Sequence, residues 1–201
     1  MKGYCSVEDI ENYTLTEVLE TFATNVEFWI EVIEGFIDNE TGRNFIADTV
    51  ASKRYFDGNG ECNLYIDECI EISGLKIYNS LGDLLHELTK DTHYLIHPYN
   101  ELPIRKVLSK LSNPIGFSRF YKGQKNIEVN AKWGYSLEVP AQIKFACTVL
   151  VAGIVNYSNN AEGEIKSEKI GDAYSVTYKD EQWKDYETAK EIIKSFTKID
   201  V

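Results

Sequence analysis

Several signatures are missing from this chain, and each absence removes a class of function. It has no GxSxG elbow, no P-loop and no GxGxxG turn, so the usual nucleophile, phosphate and dinucleotide sites have no sequence support. HExxH is also absent, which removes the commonest helical zinc pair. The four cysteines (Cys5, Cys62, Cys69, Cys147) form no CxxC pair and no dense framework. That pattern predicts a reducing compartment, with the thiols acting as small packing residues. The opening MKGYCSVEDIENY is polar and acidic, without the apolar run of a secretion signal, and predicts a soluble protein made and kept in a cytoplasm. Positive charge is scarce too. The formal net charge is −11, and residues 1–50 carry eleven acids against Lys2 and Arg43. Gripping a nucleic acid requires cations that displace counterions from phosphates. This composition allows a protein to stand beside DNA without holding it, and most of the acids read as a solvated face.

What is present is enough apolar and aromatic residue for a folded core in 201 residues, one domain or one domain with a sizeable insertion. No internal repeat or low-complexity tract is visible. The chain is organised around residues 127–157. Ile127, Val129, Ala131 and Trp133 alternate with Glu128, Asn130 and Lys132, the pattern of a half-buried strand. A Gly134-Tyr135-Ser136 turn follows, and Pro140 sits where the first residue of a helix is expected. From Ala141 to Val155 only Gln142, Lys144 and Thr148 are plainly polar. A helix apolar on nearly every side is buried on nearly every side, and this one is shorter than the roughly 20 residues of a membrane span.

Other helices flank that core. Ser6 and Asp9 form a capping box for a short first helix. Thr24 to Glu27 reads as a second box, opening a helix in which Val26, Trp29, Ile30, Ile33, Phe36 and Ile37 recur on one face. Glu27, Glu31, Glu34 and Asp38 then fall on the other, and Gly42 supplies the stop. A last helix is expected over 185–197, with Tyr186, Ala189, Ile193 and Phe196 on its apolar face. Between 51 and 133 the pattern is that of strands. SKRYF and CNLYI flank Asp57-Gly58-Asn59-Gly60 and predict a hairpin; CIEIS, LKIY, HYLIH and FSRFY are further strands, and 102–111 a helical turn or two. Residues 173–178 read as a strand or an arm. The expected fold is α+β: a small bundle (long early helix, buried central helix, C-terminal helix) from residues 1–50 and 136–201. A β-rich insertion, 51–135, separates the second and third helices.

Three constellations carry residue types suited to chemistry. Asp57, Asn59, Glu61 and Glu68 echo a calcium loop, but Cys62 stands where that loop needs glycine, and a plain turn is preferred. His86, His93 and His97, with Asp83 and Glu87 nearby, would serve a metal-dependent enzyme or binder, but Thr92 and Pro98 oppose the helix that would align them. Cys147 lies inside the apolar helix and reads as packing. No catalytic, cofactor or metal site is predicted.

The order of segments resembles the head-tail connector (adaptor, or head-completion) proteins of tailed phages. The pieces are ETGRNF (40–45), RYFDGNGECNLYID (54–67), HPYNELPI (97–104), NAKWGYSLEVPAQIKFA (130–146) and KSEKIGDAYSVTY (166–178). Ala131 replaces the glycine usual in that family, and Ala173 separates Asp172 from Tyr174. The resemblance implies a non-enzymatic virion protein of the neck, made in the host cytoplasm. It implies a ring, commonly of twelve copies, that binds the portal protein and a stopper or tail-completion protein. DNA would pass through its channel without specific binding, and no membrane is involved. Ring closure needs two different faces on each subunit. Residues 163–201 are the candidate for one of them or for the portal contact, with Lys166, Ser167, Glu168, Lys169, Ile170, Gly171, Asp172 and Tyr174 as the interface. The rivals are the histidine-based metal protein and a generic host protein-interaction domain.

Overall fold

The computed structural model describes residues 2–15, 20–158, 165–170 and 174–198. In chain order these form α1 (Val7–Thr14), α2 (Glu20–Thr41), β1 (Ser52–Gly58), β2 (Asn63–Tyr78), β3 (Leu84–Leu88) and β4 (Tyr94–His97). There follow β5 (Ile104–Ser109), β6 (Gly123–Trp133), α3 (Ala141–Ser158), β7 (Ile165–Ile170), β8 (Tyr174–Lys179) and α4 (Asp180–Ser195). The fold is α+β, and the chain divides into two compact units, 1–43 with 139–201 and 44–138. No described helix is long and apolar enough to cross a membrane.

In the helical unit α3 packs against α1, α2, α4 and β8. Ile143, Ala146, Cys147 and the run from Thr148 to Val155 are all buried, and the Thr148 hydroxyl is satisfied by the Lys144 carbonyl at 2.9 Å. Burying the Ile, Val and Leu side chains among them stabilises by roughly 1.5–3 kcal/mol each. Pro140 lies one residue outside the helix, where its carbonyl accepts the first helical N–H, from Lys144. It therefore caps α3 instead of occupying its first position.

Helix α1 opens on the expected capping box. Asp9 N–H donates to Ser6 Oγ at 3.2 Å, and Ser6 N–H returns to the Asp9 carboxylate at 2.9 Å. Helix α2 departs from expectation at its start. It begins at Glu20, so Thr24 and Asn25 lie inside it. Such residues cost only tenths of a kcal/mol within a helix, and packing of a long helix overrides them. Its stop is as expected: Gly42 has φ +65° and donates its N–H to the Asp38 carbonyl. Helix α4 starts five residues earlier than expected, at Asp180, and ends at Ser195. Tyr186, Ala189 and Ile193 are buried, and Phe196 lies half-buried beyond the helix.

Glu34 is the sharpest difference. Spacing puts it on the solvent face of α2, yet it is 1% exposed. The chain before α1 folds over it. The N–H groups of Lys2, Gly3 and Tyr4 donate to its carboxylate at 2.5, 2.6 and 2.8 Å. The Tyr4 hydroxyl donates to Asp38 at 2.6 Å, and the Lys2 ammonium also pairs with Asp38. A buried charge is tolerated where donors surround it.

In the sheet unit the order is β1-β6-β2-β5-β4, all antiparallel, with β3 on β2. The two strands flanking Asp57–Gly60 do not form a hairpin, because β6 lies between them. Lys53, Tyr55 and Phe56 pair with β6 instead, where they meet Glu128 and Trp133. CIEIS and LKIY merge into the single 16-residue β2, irregular near Cys69–Glu71 and Ile72–Gly74. These irregularities let one strand pair with β5 along its first half and β3 along its last. The 102–111 stretch is the strand β5, with Ile104, Val107 and Ser109 buried. FSRFY is not a strand. Phe117 and Phe120 both enter the core, a spacing of three that a strand of period two would split between faces.

Strand β6 carries both faces of the sheet. Ile127, Val129, Ala131 and Trp133 are at most 1% exposed. The Trp133 indole donates to the Ser52 carbonyl at 2.9 Å, and Arg54 lies 4.5 Å over its ring. Gly134 follows because a Cβ there would stand 2.4 Å from Ala47 Cα, at φ +139°. On the opposite face Glu128, expected to be solvated, is 4% exposed. Lys53 reaches it at 3.1 Å, the Tyr55 hydroxyl at 3.0 Å and the Tyr78 hydroxyl at 3.3 Å.

Two predictions follow from these carboxylates. Glu34→Ala removes the acceptor of three N–H groups, of which that of Tyr4 is buried, and is expected to lower stability by about 1–3 kcal/mol; urea unfolding checks it, and an unchanged midpoint would show that the leading segment is not anchored. Burial pushes the Glu128 carboxyl up, but hydrogen bonds from Lys53, Tyr55 and Tyr78 outweigh it and hold the group below its ordinary 4.5. A lowered folded-state pKa stabilises fully above the unfolded value and is lost as pH falls through the folded one. Glu128→Gln is therefore expected to flatten the loss of stability below pH 4.5. An acid limb identical to the unsubstituted protein's would assign that loss to other groups.

Candidate assembly surface

The β7–β8 hairpin and α4 form one continuous piece of the helical unit. Ile165 pairs with Lys179 and Ile170 with Tyr174, in uninterrupted antiparallel register. β8 ends at Lys179 and α4 begins at Asp180 without a loop. A two-stranded ribbon has little stability alone, and here β8 lies along α3 while both strands meet α4. Sequence patterning anticipated β8 but not β7, whose Lys-Ser-Glu-Lys run offers little apolar alternation.

Of the proposed interface residues, Lys166, Ser167, Glu168, Lys169 and Ile170 occupy β7, and Tyr174 opens β8. Lys166 stands opposite Tyr178, Glu168 opposite Val176 and Lys169 opposite Ser175. Gly171 and Asp172 lie outside the described residues. Among those described, each strand pairs only with the other, which leaves two sheet edges for further pairing.

Helix α4 is anchored at several points. The Tyr13 hydroxyl donates to Asp185 at 3.0 Å; burial, then this carboxylate, pushes the Tyr13 phenol far above its ordinary range. At the other end Lys198 N–H donates to the Thr41 carbonyl at 2.8 Å. Between α2 and α4 runs an open groove of about 770 Å³, with Phe36, Trp183, Tyr186 and Ile193 among its lining and Glu40, Lys190 and Lys194 at its polar positions. Alternating charges along the exposed side of α4 (Lys184, Glu187, Lys190, Glu191, Lys194) give it no dominant sign.

The residues with metal-binding or catalytic chemistry are dispersed. His86 Nε2 lies 3.2 Å from the Tyr121 hydroxyl, His93 Nδ1 accepts the Thr89 N–H at 2.8 Å, and His97 meets the Tyr99 ring edge-on. Asp83 accepts from Asn79, and Glu87 pairs with Lys76. Asp57 accepts the Lys125 N–H at 2.7 Å, while Glu68 pairs with Arg105 at 3.1 Å. Asn59 closes its own turn through Glu61 N–H and the Asn63 carbonyl. Among the described residues no three of His, Cys, Asp or Glu gather in a group able to hold a metal ion. The clamps at Glu34 and Glu128 escaped sequence reasoning. Each is a lone acid whose partners are backbone N–H groups or residues distant in the chain, and no local pattern marks that.

No family model and no curated protein sequence matches the chain. Among solved structures, it overlays a chain of the neck of an empty GTA (gene transfer agent) particle computed with C6 symmetry, at TM-score 0.60 and 9% identity. That overlay covers 100% of this chain and 93% of the other. A chain from the neck of a native GTA particle computed with C12 symmetry overlays at TM-score 0.46 and 13% identity, over 97% and 89%. At 9% identity the first likeness is one of fold: the chain has the fold of a particle-neck protein.

Proposed function

We propose that this chain is a structural, non-enzymatic subunit of the neck of a tailed-phage-like particle, assembling with its own copies into a ring that joins head to tail. The observation that carries the reading is the overlay of the whole chain on a neck chain at TM-score 0.60. The ordered motifs from ETGRNF to KSEKIGDAYSVTY also support it. In this reading the protein is made in a host cytoplasm and resides in the virion neck. The sheet unit is an insertion that enlarges the subunit's surface.

The finer parts of the proposal are a ring of twelve copies, contact with the portal protein on one side and with a stopper or tail-completion protein on the other, and a continuous DNA channel. Charge supports the last of these. A net charge of −11 repels phosphates, which suits a conduit through which DNA passes without being held. Head-to-tail closure of a ring requires two unlike faces. The β7–β8 hairpin with α4, within residues 163–201, is the proposed first face. Among the described residues its two strands pair only with each other, and α4 forms one wall of the groove that it shares with α2.

Electron microscopy of particles from a phage carrying a null mutation in this gene tests the reading. Filled or leaking heads accumulating apart from finished tails are expected. Normal infectious virions would remove it. For the interface, the double substitution Lys166→Glu with Lys169→Glu is expected to reduce assembly into rings or onto portals at least tenfold while leaving the thermal unfolding midpoint unchanged. Undiminished assembly of the folded variant would place the face elsewhere.

A further inference from the structure

We propose that Cys5 and Cys147 are an oxidisable pair that closes into an internal disulfide, stapling the segment before α1 to the central helix. Their sulfurs lie 3.2 Å apart inside the helical unit. Cys5 is 5% exposed and Cys147 is 0% exposed. A disulfide bond is about 2.0 Å long, so the sulfurs have little more than an ångström to close.

Their closeness is enforced from both sides. Immediately before Cys5, the N–H groups of Lys2, Gly3 and Tyr4 are fixed on Glu34. One helical turn after it, Asp9 pairs with Lys144 at 2.8 Å, and Lys144 stands three residues before Cys147 on α3. Positions 5 and 9 thus face positions 147 and 144, and the thiol contact sits between two polar anchors. The hydrogen bond with Cys5, together with burial, holds the Cys147 thiol well above the ordinary thiol range. It is therefore a poor first nucleophile, and the more exposed Cys5 takes that role.

With a peroxide as oxidant the chemistry balances. The Cys5 sulfur attacks one peroxide oxygen, the O–O bond breaks, and a sulfenic acid and one water form. The Cys147 sulfur then displaces the sulfenic hydroxyl, which leaves as a second water. One S–S bond replaces two S–H bonds. The two sulfurs together lose two electrons, which the peroxide gains. The closed loop spans 142 residues, and cross-linking so long a loop chiefly restricts the unfolded chain.

The test is treatment of the folded full chain with hydrogen peroxide, then alkylation, digestion and peptide mass spectrometry without reduction. The expected product is a Cys5–Cys147 linked peptide two hydrogens lighter than its parts. Cys69, fully buried within the sheet unit, is expected to remain a free thiol. Cys62→Ser, which removes the exposed thiol, should retain the link, and Cys5→Ser should abolish it. The oxidised protein should melt roughly 4–16 °C higher than the reduced one. Recovery of Cys5 and Cys147 as alkylated thiols or sulfinic acids, or linkage of either to Cys62, would overturn the proposal.

Discussion

The helical unit depends on the fact that α3 has no polar face from Ala146 to Val155. A helix with Ile143, Ala146, Cys147 and an unbroken buried run from Thr148 to Val155 is stable only when its whole circumference is removed from water. Four elements of the same unit contribute to that cover: α1, α2, α4 and β8. Each in turn needs only a narrow apolar stripe, such as Val26, Ile30, Ile33 and Ile37 on α2 or Tyr186, Ala189 and Ile193 on α4. The polar remainder of each outer element is left for other uses. A candidate assembly face on the hairpin and α4 is a consequence of this division of labour.

Buried carboxylates perform the corresponding task for polar groups. Glu34 gathers three consecutive backbone N–H groups and so decides where the chain before α1 runs. Glu128 gathers one ammonium and two phenols on the polar side of the sheet, and links β1, β6 and β2. A desolvated carboxylate is costly without donors, so each acts as a constraint on register as well as a source of stability. The oxidisable thiols sit within the framework that the first of these clamps creates.

The fold's relation to particle necks has the same character. With 9% identity to a chain it overlays at TM-score 0.60, almost no individual side chain is shared, while the layout of elements is. The α+β plan tolerates such divergence because burial depends on pattern and volume more than on identity. Recognition surfaces are not protected in that way. The partners proposed for the hairpin and α4 must be read from this chain's own residues.

Local signals fixed in the amino-acid order were enough for several elements. The Ser6–Asp9 box, the Gly42 stop, the alternation over Ile127–Trp133 and the apolar run after Pro140 each act over a few residues, and all appear in the structure. The patterning also carried the mixed class of the fold. Other features were decided only by tertiary structure. Which strand lies beside β1, whether FSRFY extends or plugs the core, where α2 begins and why Glu34 is buried all depend on partners distant in the chain. Periodicity reports which face of an element is apolar, not what will cover it. A lone acid looks the same in sequence whether water or three backbone N–H groups will surround it. Strand order and buried polar contacts are settled by the assembled chain, because their energies exist only once distant segments have met.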